Sequence, residues 1–167
     1  SGKSTLMGLI AGIFYPESGK IKVNCSKLGY VGTKPLILNG TIKENLSYGC
    51  DQTPSDNEMI QLLEKFKVFN EESKINLNMV VSNRSLSSGQ MQKISFIRAF
   101  LNKSEILLLD EAFSNIDQTS KETISEILRN ENLTIINSTH KSTDFKNITK
   151  HIEIVVVDNK RYIKSLI

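Results

Sequence analysis

The order of elements predicts an α/β fold, a parallel sheet core with an inserted helical subdomain. Three observations carry that expectation. Residues 106–109, Ile-Leu-Leu-Leu, form an apolar run bounded by charge, which suits a strand buried on both faces. A second such run, LTIINSTH at 133–140, follows a helical stretch at 116–128, and strands alternating with helices imply parallel pairing. Between residue 39 and about residue 86 the texture changes to short polar helices, the pattern of an insertion.

Taken in order, residues 4–13 read as an apolar helix closed by the turn Pro16-Glu17-Ser18-Gly19. Two short strands are expected at 20–23 and 28–31. One helix closes at 45–48, and another covers 56–66 with Ile60, Leu62, Leu63 and Phe66 on its apolar side. A helix at 87–101 runs into the apolar strand. The C-terminal stretch gives a strand from His151, a turn at Asp158-Asn159 and a final strand. The core then comprises 1–38 and 91–167, with 39–90 as the helical subdomain.

A chain of 167 residues is one domain's worth. Its 39% apolar and 23% charged residues are those of a globular protein and exclude disorder. The net charge of +3 is mild and the lysines are spread, so no nucleic-acid partner is expected. Cys25 and Cys50 lack metal-ligand spacing and read as reduced thiols of a cytosolic setting. The apolar run at 6–14 is too short to cross a bilayer and lacks the flanks of a signal peptide. A membrane connection must come through a partner or through other sequence.

Three stretches carry chemistry. Gly2, Lys3, Ser4 and Thr5 match the end of the phosphate-binding pattern G-x-x-x-x-G-K-[ST], without its opening glycine. Backbone N–H groups at a helix N-terminus attract phosphate, Lys3 adds a cation, and the Ser4 hydroxyl suits Mg²⁺. Chance also produces Gly-Lys-Ser before a helix. Next, Asp110 and Glu111 end the buried strand at its C-terminal edge, where ligands bind in open α/β sheets. There Asp110 suits a hydrated Mg²⁺ and Glu111 an attacking water, although an exposed acidic pair after a strand is common. Finally, Leu86, Ser87, Ser88, Gly89 and Gln90 stand at a second helix start. They fit either a second phosphate-binding end, shared between head-to-tail chains, or a plain helix cap.

In this order the motifs resemble those of the ATP-binding cassette (ABC) ATPases, P-loop NTPases, over nearly the whole chain. Residues 1–5 are similar to the end of the Walker A loop, and Leu86–Gln90 to the signature LSGGQ, with Ser88 where glycine is usual. Residues 106–111 resemble Walker B with its catalytic glutamate. Ser114, Asn115, Ile116 and Asp117 resemble the D-loop, and His140 the switch histidine. GTIKENLSYG, at 40–49, resembles a segment that exporter-type cassettes carry after the Q-loop. Thr33 departs from the pattern, standing where the family has a glutamine.

The resemblance implies binding and hydrolysis of MgATP, with ATP and Mg²⁺ as cofactors, in the nucleotide-binding domain of a membrane exporter. Glu111 and His140 would be catalytic, and Ser4 and Asp110 would face the metal. Ser87 to Gln90 would contact the ATP of a second nucleotide-binding domain, in a homodimer or heterodimer. Transmembrane domains would be the other partner, at the cytoplasmic face of the membrane. A soluble ABC ATPase acting on DNA or ribosomes is the rival reading. The resemblance also implies truncation within the Walker A loop, without the strand before it or the N-terminal antiparallel sheet, and so little or no activity of residues 1–167 alone.

Overall fold

A computed structural model describes residues 2–69, 74–130, 132–139, 149–158 and 160–166. Helix α1 (Lys3–Ile10) starts at Gly2, which takes the left-handed conformation (φ 88°) with no side-chain cap. It stops short of the expected residue 13. Gly12 turns left-handed (φ 71°), Gly12 N bonds Leu9 O at 3.2 Å, and Ile13 N bonds Gly8 O at 2.8 Å. This glycine-closed end satisfies two of the last carbonyls of the helix.

The strand expected at 20–23 is absent. That stretch has no ladder partner among the described residues, and Ile21 is 43% exposed. A short alternation of apolar and polar residues makes a strand only where a neighbouring ladder receives it. Strand β1 (Leu28–Val31) forms as expected. Strand β2 (Gly40–Thr41) pairs antiparallel with β3 (Val80–Val81), a bridge of two residues per strand with no sequence signal.

Helices α2 (Ile42–Ser47) and α3 (Asp56–Lys65) begin at Thr41 and Ser55, whose hydroxyls accept the N–H of Glu44 and Glu58. In α2 the Glu44 side chain returns to Thr41 N, completing a capping box. Helix α4 (Ser88–Leu101) leads into β4 (Ile106–Asp110). Helix α5 (Gln118–Asn130) begins later than the expected residue 116, because Ile116 is buried as a loop residue and Asp117 caps the helix. Strand β5 (Thr134–Ser138) and a hairpin of β6 (His151–Val157) and β7 (Lys160–Leu166) complete the chain.

The sheet is parallel, in the order β1-β4-β5, with Val31 opposite Leu109 and Asp110 opposite Ser138. Alternation along β4 splits its side chains between two faces. Leu107 and Leu109 join Val31, Ile94, Phe96, Ile97 and Ile124 in one cluster that also takes Leu46, Met59 and Leu63 of α2 and α3. Leu108 is fully buried outside that cluster, and α1 packs on β4 with Met7 buried. Leu108 and Asp110 therefore share the face opposite the main cluster.

Candidate functional site

The site builds upward from the end of β4. Asp110 is 2% exposed, and its Oδ2 accepts a hydrogen bond from the Tyr30 hydroxyl at 3.3 Å, long for an O–H···O contact. Its Oδ1 is buried without a hydrogen-bond partner among the described residues, and so is Oγ of Ser138, the Cα partner of Asp110 on β5. Burial, reinforced by the Asp110 charge and hydrogen bond, raises the Tyr30 phenol above its usual pKa. Open oxygens at a strand's C-terminal edge suit the water shell of a hard cation, so the donor chemistry fits Mg²⁺.

Glu111 follows with φ 52°, a left-handed conformation uncommon outside glycine, and its N–H donates to Ser138 O at 2.9 Å. This breaks the strand and sets the two carboxylates in different environments. Asp110 is buried, whereas Glu111 is half-buried.

Gly2, Lys3, Ser4 and Thr5 occupy the start of α1, with Leu6 N bonded to Gly2 O at 3.0 Å and both hydroxyl residues exposed. The Arg161 side chain lies against Gly2, 3.0 Å from where a Cβ would stand. Thr33 is exposed on the loop after β1, at the same sheet edge as Asp110. That loop is held from beneath, because Nε2 of the fully buried Gln92 donates to Gly32 O at 3.0 Å.

The signature stretch resolves into a cap. Ser87 Oγ accepts from Gln90 N at 3.2 Å, and Gln90 Oε1 accepts from Ser87 N at 2.9 Å, while Gln90 Nε2 donates to Val68 O. Leu86 is buried, whereas Ser87 and Ser88 are exposed. Gly89 lies against the D-loop backbone, where a Cβ would be 3.0 Å from Asn115 O. Ser114 is exposed, with its N–H on Glu111 O.

Asp117 accepts from Ser120 N at 2.8 Å and from Ser120 Oγ at 2.7 Å, and it pairs with Lys93 Nζ at 3.2 Å. The Ser120 backbone bond, ahead of the side-chain bonds, holds its carboxyl at about 2. The buried Lys93 also donates to Lys67 O, so α4, the D-loop and the end of α3 meet at one ammonium. The structure thus joins Gly89 to Asn115, and Asp110, through Tyr30, to the loop at Thr33. His140 and Ser1 lie outside the described residues.

Sequence reasoning missed a buried polar network. Asn45 is fully buried; its Oδ1 accepts from Leu38 N at 2.8 Å, and its Nδ2 donates to the carbonyls of Leu38 and Thr41. Arg98 Nε donates to Asn45 O at 2.8 Å and Nη1 to Leu36 O at 3.1 Å, with the guanidinium over the Tyr48 ring. Burial lowers the Arg98 pKa. The signal available was an arginine inside the apolar stretch SFIRAFL. Its partners lie more than 50 positions away, so nothing local names them.

A family model described as ABC transporter matches residues 1–114. The lactococcin-A transport/processing ATP-binding protein LcnC of Lactococcus lactis is 32% identical over 99% of this chain and 25% of its own length. The glutathione/L-cysteine transport system ATP-binding/permease protein CydD of Haemophilus influenzae is 33% identical over 87% of this chain and 27% of its own. A solved bacterial Atm1-family ABC exporter with ATP bound superposes with a TM-score of 0.75 at 25% identity, over 86% of this chain and 28% of that one. The chain thus spans about a quarter of the length of these relatives.

Proposed function

The chain belongs to the ABC transporter family, and from that premise we propose that it is the MgATP-binding and hydrolysing part of a membrane exporter. The carrying observation is the Asp110 carboxylate, buried at the sheet's C-terminal edge with one oxygen open among the described residues. The printed names of the relatives, which pair ATP binding with transport, support the same reading.

In this mechanism Lys3 and the N–H groups of the first turn of α1 bind the β- and γ-phosphates. Ser4 and Asp110 would hold Mg²⁺, which when bound neutralises phosphate charge. Glu111, carried away from Asp110 by its left-handed backbone, takes a proton from the attacking water. His140 contacts the γ-phosphate. Ser87 to Gln90 of a second nucleotide-binding domain close over the nucleotide head to tail, and opening of that pair moves transmembrane domains from the cytoplasmic face. Residues 39–90 act as the subdomain that carries the signature.

The test is Glu111→Gln in the full-length chain that carries this sequence. Steady-state hydrolysis should fall by about 10²–10⁴-fold while ATP binding persists, because the amide keeps the shape and loses the base. Equal turnover in mutant and parent would refute the assignment.

A further inference from the structure

We propose that Tyr30 is a positioning residue for Asp110: its hydroxyl holds one carboxylate oxygen, so that the other is presented to a hydrated Mg²⁺. The inference deepens the reading above and rests on it.

Tyr30 stands opposite Leu108, one residue short of the level of Leu109 and two short of Asp110. From there the phenol reaches along the sheet edge to Asp110 Oδ2, 3.3 Å away. A carboxylate without such a bond rotates and offers either oxygen. Here Oδ2 is engaged, while Oδ1 and the Oγ of Ser138, the strand partner of Asp110, are buried without a hydrogen-bond partner among the described residues.

The ring is placed from its other side as well. It lies across Gly32, where a Cβ would come within 2.7 Å of Tyr30 Cε1 and 3.3 Å of its hydroxyl. No real Cβ tolerates the shorter distance, so glycine at 32 is what lets the ring take this course. The Gly32 backbone is pinned in turn by Gln92, across 60 positions of sequence. The Walker B carboxylate, the phenol, the loop leading to Thr33 and helix α4 thus form one continuous chain of contacts. A phenol is a donor that stays protonated near neutral pH, so it can hold Oδ2 without competing for the cation. Hydrogen-bond partners that orient metal ligands typically govern about 10–100-fold in metal affinity.

The measurement is Mg²⁺-dependent binding of a fluorescent ATP analogue to the full-length chain, with Mn²⁺ and the same analogue followed by electron paramagnetic resonance. Tyr30→Phe should raise the half-saturating Mg²⁺ concentration about tenfold while leaving the melting temperature in place. Gly32→Ala, which drives the ring off its course, should raise it in the same direction. Parent-like half-saturation in both variants overturns the proposal and leaves the phosphate-site reading standing. A rise that merely follows a loss of melting temperature overturns it too, since that is what a purely structural tyrosine would give. Nucleotide binding that ignores Mg²⁺ in the parent itself overturns both readings.

Discussion

The two faces of the central sheet are built differently. On one, Leu107, Leu109 and Val31 meet α4 and α5 in a continuous cluster, where Ile94, Phe96, Ile97 and Ile124 have no exposure. On the other, Leu108 is buried where α1 packs on β4 and Met7 of α1 is buried with it, but the segment after α1 leaves Ile13, Phe14 and Tyr15 at 51–90% exposed. The first face is dense and apolar; the second ends in Tyr30, Asp110 and Ser138, with two buried oxygens open among the described residues. Packing and chemistry are thus divided between opposite sides of the same strands. The dense side fixes the position of β4, and the polar side uses the rigidity it confers.

The largest effect is expected at Leu109. Leu109→Ala should destabilise the domain by about 2–5 kcal/mol, because the surrounding helices cannot collapse into the space. Ile163→Ser on the hairpin, at 62% exposed, should change stability by no more than about 0.5 kcal/mol. Hydrogen exchange of β4 amides in the full-length chain would read both, and equal effects would dissolve the distinction between the packed face of the sheet and the exposed hairpin.

Lys3→Ala probes the polar side. It should weaken ATP binding by about 1.5–3 kcal/mol, roughly ten- to a hundredfold, the range of a hydrogen bond to a charged group, with the melting temperature unchanged. Equilibrium titration with a labelled analogue checks it; an unaltered Kd would place the phosphates elsewhere.

A smaller effect than at Leu109 or Lys3 concerns the junction at Asp117. Asp117→Ala should cost about 1 kcal/mol through the lost cap, whereas Asp117→Asn keeps an oxygen for Ser120 N and loses the charge and the second acceptor that serves Ser120 Oγ and Lys93. The folded carboxyl titrates at about 2, below its usual 3.8. Its contribution is therefore complete above about pH 3.8 and fades as the pH falls through about 2. Acid unfolding curves of the parent and Asp117→Asn should diverge above that window and converge below it.

Much of this was legible in the chain itself. The apolar run at 106–109 specified a strand buried on both faces, and the carboxylates after it specified what its edge would carry. Ser87 and Gln90 specified a helix start, since a capping box needs only side chains three positions apart. Of the two readings offered for that stretch, the cap is observed in the chain, and the phosphate role is the one proposed toward a second domain. The helix ends were less legible. Gly12 closed α1 early through bonds to Gly8 and Leu9, although Pro16 was the louder signal.

What the amino-acid order determined by itself is therefore local: periodicity, caps, glycine turns and the succession of motifs. Tertiary structure decided which segments found partners. Residues 20–23 had the composition of a strand and no ladder to join among the described residues, while 40–41 and 80–81 paired without any such signature. It also decided which oxygen of Asp110 a tyrosine 80 positions away engages, and which backbone the buried Gln92 and Asn45 and the half-buried Arg98 would satisfy. The reason is physical. A hydrogen bond within a turn of helix is set by a few dihedral angles. One between distant segments exists only after hydrophobic burial has brought them together and excluded the water that would otherwise take its place.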